Sequence, residues 1–404
     1  MKLNFWALLG CSFLIFAGGC SGRNIHKELK ADPEVLVRQW TLSTHGPFAA
    51  ADHGFEFSNP ILFENTLIFG NQSFGIASIY TGLMQYRWKL AIHGGVTSPP
   101  AIDRTTLYVA GGDGFFYSIN AETGRVNWKY EIRNTTASRP TVSQGRVFVT
   151  TTDDVVYALD AGTGKWLWHY RRRSASGATI MGASQPLVDG SEVIVGLTDG
   201  FLVSLSISDG QLKWERKLHT GAKFTDVDAH PVLEDGIIYV PSYDGALYAL
   251  KRDKGEVLWR FDAGGSKQIT LEGDRIYFPS NDGMIYCLEK NTAKVIWKFE
   301  LDKGTPTQLA ISDRHVIFGS SFQYLYALDK ETGKGLYRYN TGYDSGFYGS
   351  PLYHPEMSRV YILSGAGNLM AFSVRPAARK RRPFGAIDGY IFTENSERSN
   401  KLFR

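Results

Sequence analysis

Hydrophobic and polar positions alternate along most of the chain in runs of five or six residues. Glycine, aspartate, asparagine or threonine closes most of these runs. "RVFVT", "VVYALD" and "WLWHYR", between 146 and 171, show the pattern. A period of two with such punctuation predicts half-buried antiparallel strands joined by tight turns. The runs also recur as a block. The stretches 107–128, 147–168, 193–214, 238–259, 276–297 and 316–337 each read strand, turn, strand, turn, strand, and each ends on an aromatic residue. A looser copy precedes them at 67–88, and a truncated one follows at 360–374. A further short strand, such as "PTVSQ" or "HPVLE", stands before each copy. The unit is therefore four strands in about forty residues.

Four twisted strands cannot bury both faces alone. Stacking such units face to face around an axis buries them and leaves only short edges. The expected fold is all-β, an eight-bladed β-propeller. The aromatics that end the copies, Trp128, Trp168, Trp214, Trp259, Trp297 and Tyr337, are read as structural anchors between neighbouring blades. A glycine stands four residues before the anchor in five of these copies, and Ala293 takes its place before Trp297. In the first copy, four residues after Gly82 is Tyr86, which makes Tyr86 rather than Trp88 the expected anchor. The last copy stops at Val374 without its aromatic strand, whereas "EVLVRQWTLS" near the start holds Trp40 in an orphan strand. Residues 35–42 are expected to supply the missing outer strand and close the ring. The Asp-Gly pairs at 113–114, 199–200, 244–245 and 282–283 suggest type I′ hairpins.

The ends differ from this body. Residues 1–19 carry Lys2, then an apolar run from Leu3 to Ala17, and are read as a lipoprotein signal peptide. Ala17-Gly18-Gly19-Cys20 resembles a lipobox, so acylation is expected at Cys20, with 20–34 as a tether. Ser21 after the cysteine implies delivery to the outer membrane, facing the periplasm. The propeller is assigned to 35–374. The tail, 375–404, holds eight basic against three acidic residues, including the run Arg379-Lys380-Arg381-Arg382. It is read as a disordered extension that could meet anionic groups. The body between is close to neutral and slightly acidic, which argues against nucleic-acid binding.

Chemistry-bearing patterns are few. Three cysteines, Cys11, Cys20 and Cys287, form no metal or redox spacing. His45, His53, His219 and His230 make no zinc pattern, so no metal and no cofactor is expected. The anchor spacing is more informative. Trp128 to Trp168 is 40 residues, but Trp168 to Trp214 is 46 and Trp214 to Trp259 is 45. The excess lies in two neighbouring blade joins, 171–185 and 216–230. Long loops on a rigid scaffold are where binding usually resides.

Ala158-Asp160-Gly164-Trp168 resembles the repeat of pyrroloquinoline-quinone (PQQ) enzymes. Taken with the lipobox, the length and the eight copies, the chain resembles the BamB family of the outer-membrane β-barrel assembly (BAM) machinery. The stretch 224–250, with Asp226-Val227-Asp228 before a first strand, carries that resemblance most specifically. It implies a non-catalytic scaffold whose loops bind the periplasmic domains of a BamA-like protein. The implied partner-binding residues are Ala178, Ile180 and Met181 in one loop, and Asp226 and Asp228 in the other. The family carries an arginine in the first loop, and this chain lacks it there. Arg171, Arg172, Arg173 and Lys223 are the nearby substitutes. Two other readings stand beside this one. The first is a generic periplasmic PQQ-repeat propeller that binds another envelope protein or polymer. The second is a PQQ-dependent dehydrogenase, which would need adjacent cysteines and a calcium site.

Overall fold

The computed structural model describes residues 26–44, 58–132, 134–172, 182–218, 226–343 and 345–375. Within them lie eight antiparallel four-stranded sheets. Seven are continuous in sequence, at 61–91, 101–131, 141–171, 187–217, 232–261, 270–300 and 310–340, and are numbered here as blades 1 to 7. Blade 8 takes three strands from 352–374 and its outer strand, Leu36–Ser43, from the other end of the chain. Leu36 pairs with Val374 and Ser43 with Asn368, so the ring closes as the orphan strand suggested. The innermost strand of each blade is two or three residues long, and among them 141–143 meets both 101–103 and 187–189, and 310–311 meets 352–354.

The core lies between blades rather than within them. Eight apolar clusters fill the eight interfaces. One joins Phe148, Val156 and Trp168 of blade 3 to Val193, Val195 and Val203 of blade 4. Another joins Leu67, Phe69 and Ile79 of blade 1 to Tyr361, Leu363 and Leu369 of blade 8. Middle strands are buried on both faces, which is why they read as nearly continuous apolar runs.

The anchors share one register. Trp128 pairs with Ser118, Trp168 with Ala158, Trp214 with Ser204, Trp259 with Ala249, Trp297 with Cys287, and Tyr337 with Ala327. Trp40 stands opposite Ala371 in the same way. In blade 1 the position belongs to Trp88, opposite Ser78, and Tyr86 lies two residues earlier at a more exposed site. Met84 explains the correction. It takes the left-handed backbone at φ 53°, the conformation Gly124 and Gly164 adopt in their turns, and it lies four residues before Trp88.

Gly164 also shows why glycine recurs there. Its φ is +71°, and a Cβ would sit 2.5 Å from the Trp128 ring of the preceding blade. In four blades the tryptophan completes the joint by donating its Nε1 hydrogen to the next blade, whereas Trp40 and Trp214 Nε1 are buried without an acceptor. Trp88 donates to Ala121 O, Trp128 to Ala161 O, Trp168 to Ile207 O and Trp297 to Lys330 O, at 2.9–3.0 Å.

The Asp-Gly hairpins depart from the expected type. Only the glycine has positive φ (83° at Gly114), whereas a type I′ turn needs it at both central residues. Gly114 N donates to Gly111 O and Gly111 N to Phe115 O, a longer turn ending in a left-handed residue. The aspartate acts through its side chain, with Asp282 Oδ1 accepting from Met284 N and Oδ2 from the Tyr286 hydroxyl.

Part of the expected tether is docked. The His26 ring stacks on Phe299 at 4.4 Å, its backbone N donates to Asp302, and Lys30 O accepts from Arg338 N. Leu29 packs into the cluster between blades 6 and 7. Cys20 and the basic run 379–382 lie outside the described residues.

Candidate functional site

The two long joins meet. Ala178, Ile180 and Met181 lie outside the described residues, but the end of their loop is placed. Gly182 sits so close to Asp228 that a Cβ there would fall 1.9 Å from the carboxylate. Ser184 Oγ donates to Ala229 O at 2.9 Å, and His230 Nδ1 lies 2.9 Å from Gln185 O. Residues 182–185 and 228–230 therefore form one continuous strip across blades 4 and 5.

The two aspartates differ in burial. Asp226 has no exposed surface, and its carbonyl accepts from Tyr243 N and the Ser242 hydroxyl. Val227, equally buried, lies against Gly196. This half of the motif fixes the join to the blade. Asp228 is only half-buried and reaches the axis. Burial pushes its carboxyl up to about 7, helped by the neighbouring charges of Asp226 and Asp154 and opposed by Lys267.

None of the described substitutes for the missing loop arginine reaches these acids. Arg171 pairs with Asp153, and Arg172 pairs with Asp199 and Glu215 and lies over the Phe201 ring. Arg173 and Lys223 are outside the described residues. The cation that faces Asp228 is Lys267, from the join before blade 6, which sequence reasoning did not single out.

Lys267 belongs to a larger feature. A cavity of about 390 Å³ lies on the axis, and all eight joins line it. The residue two positions before each innermost strand faces it: Asn59, Pro99, Arg139, Gln185, His230, Gln268, Gln308 and Ser350. One side of this ring is knitted together. Gln308 Nε2 donates to Gln268 Oε1 at 2.8 Å, Ser350 Oγ to Gln308 Oε1 at 3.0 Å, and Ser350 N to Asn59 Oδ1 at 2.6 Å. The other side carries charge. Burial depresses both Arg139 and Lys267, with Asp228 opposing the effect at Lys267. Burial lowers His230 to about 4, with Arg139 adding to the effect, so the ring is neutral at pH 7. A sequence signal existed: a polar residue recurs two places ahead of most first strands, outside the apolar alternation.

A family model described as "Outer membrane protein assembly factor BamB" matches residues 84–299 and 244–383. The chain belongs to the BamB family of PQQ-repeat propellers. The outer membrane protein assembly factor BamB of Salmonella typhimurium is 34% identical over 53 residues, a stretch spanning 13% of this chain and 14% of that protein. The crystal structure of BamB from Moraxella catarrhalis matches with a TM-score of 0.71 at 19% identity, covering 84% of this chain and all of that one. A quinohemoprotein alcohol dehydrogenase from Pseudomonas putida HK5 matches with a TM-score of 0.67 at 14% identity, over 87% of this chain and 78% of that one. At these identities the structural likenesses establish the propeller fold, which assembly factors and dehydrogenases share.

The sequence holds no adjacent cysteines of the kind a PQQ-dependent dehydrogenase would need. Among the described residues, no three His, Cys, Asp or Glu side chains cluster to hold a metal. Cys287 is fully buried opposite Trp297, burial pushes its thiol up to about 11, and it does not line the cavity.

Proposed function

We propose that this protein is a non-catalytic scaffold of the outer-membrane protein assembly machinery. Membership of the BamB family supports a place in the bacterial cell envelope. The finer reading adds acylation at Cys20, a periplasm-facing position on the outer membrane, and a partner resembling BamA. The propeller supplies a rigid ring, and the partner docks on the strip where the two long joins meet.

The observation that carries this reading is the contact of the joins. Their lengths set them apart in the sequence, and Gly182, Ser184, Asp228 and Ala229 bring them into one surface. A shared surface on a fixed frame avoids the entropy of ordering two independent loops. Pull-down of the tagged full-length protein from envelope extracts tests it. Wild type is expected to recover the assembly machinery, and Met181→Asp to lose most of that recovery. Asp226→Asn controls for damage to the joint, because this buried residue acts on the fold. Equal recovery with wild type and Met181→Asp removes the docking surface. Recovery of a different envelope protein by both favours the generic propeller.

A further inference from the structure

We propose that the axial cavity is a binding site for a small oxyanion, a molecule bearing carboxylate or phosphate oxygens, held between Arg139 and Lys267. The inference goes beyond the scaffold reading and does not depend on it.

Two basic side chains line this cavity without a close ion-pair partner, Asp228 acting on Lys267 only at longer range. Among the described residues, neither Arg139 nor Lys267 has an acidic oxygen within 4 Å, although fourteen such ion pairs occur elsewhere. The Arg139 Nε hydrogen is buried and meets no acceptor. Both residues are only part-buried, but holding a charge and a buried donor without a partner is still costly, and such groups are normally paired. Several rim arginines of this same chain obey that rule, although the Arg146 Nε hydrogen is also buried without an acceptor. Arg252, for example, pairs with both Asp189 and Glu192.

The nearest acid does not resolve the imbalance. Asp228 is drawn toward its neutral form by burial and by Asp226 and Asp154. Burial weakens the charge with which this carboxyl could neutralise Lys267, and in its neutral form it can donate a hydrogen bond to an incoming oxygen. The volume, about 390 Å³, is in the range of small-molecule sites. Guanidinium and ammonium groups facing one space suit a carboxylate or phosphate, the guanidinium in a two-pronged fashion.

Binding is read by calorimetry and thermal shift on the full chain. Inorganic phosphate, citrate and neutral glucose are the probes. Citrate or phosphate is expected to saturate, and glucose to give nothing. Whichever anion binds more tightly identifies the carboxylate or phosphate class. Arg139→Gln and Lys267→Gln should each weaken binding about tenfold or more, while Lys251→Gln on the exposed rim leaves it unchanged. Without probe, Arg139→Gln should melt at or above the wild-type temperature, because an uncompensated charge has gone. If that variant does not fold, Lys267→Gln decides the matter. Absence of saturable binding by either anion at millimolar concentration, or binding indifferent to Lys267→Gln, overturns the proposal.

Discussion

The outside and the axis of this ring obey opposite rules. At the outer joints, every blade places its anchor in one register. An aromatic anchor leans over the middle strand, with ring centroids near 6 Å at Tyr108–Trp128, Phe148–Trp168, Tyr277–Trp297 and Trp40–Tyr361 alike. At the axis, eight equivalent backbone positions hold eight side chains of different chemistry, from Pro99 to Arg139 to His230. The joints carry the burial that holds the blades together, so each tolerates little change. The axial positions are spared that task by the short strands beside them, and so are free to diverge. In a repeat protein, function is expected where the repeat stops repeating.

The sharpest way to break this contrast is at the joints. Trp168→Ala is expected to cost about 3–5 kcal/mol, because Trp168 is 4% exposed and bonds to the next blade. Trp40→Ala should cost less. Its Nε1 is buried without an acceptor, and the ring is only half-buried. Urea midpoints of the two variants measure the difference. Equal losses would mean that the closing seam is as tightly made as the others.

A smaller effect of opposite signs is expected one residue type over. Gly164→Ala should destabilise by about 2 kcal/mol, from the left-handed backbone and the ring of Trp128. Ala293→Gly should stabilise by about 0.5–1 kcal/mol, since Ala293 holds φ +57° at the same place in its blade. Melting temperatures of the pair check both signs.

The axis should show itself by pH rather than by size of effect. The contribution of the Asp228 proton is complete below the ordinary value of 3.8 and is lost as pH rises through about 7. That of neutral His230 runs the other way. It is complete above the ordinary 6.5 and is lost as pH falls toward about 4. Between pH 4 and 6.5 the two oppose each other. Asp228→Asn should therefore unmask a rise in stability with pH over that window, followed by denaturant midpoints at half-unit steps. An unchanged pH profile would show that the two groups do not titrate as their surroundings dictate.

Much of this molecule could be read in advance, and the reasons are local. The hairpins and outer strands follow from alternation and turn residues, and closure by residues 35–42 followed from one missing strand. The anchor of blade 1 was misread because a glycine was used as the ruler. Met84 adopts the conformation a glycine usually fills, which only the backbone angles reveal. Asp226 and Asp228 looked equivalent in sequence. One residue between them sends the first into the blade and the second to the axis.

By itself the chain determined the unit and its number, because alternation, turns and recurring aromatics are local properties that repeat at a fixed period. Which residues from distant joins share the axis was decided only by closure of the ring. Arg139 and Lys267 are more than a hundred residues apart and belong to no common motif. They face one cavity because eight wedges meet at a centre, a consequence of geometry that no short stretch of sequence encodes.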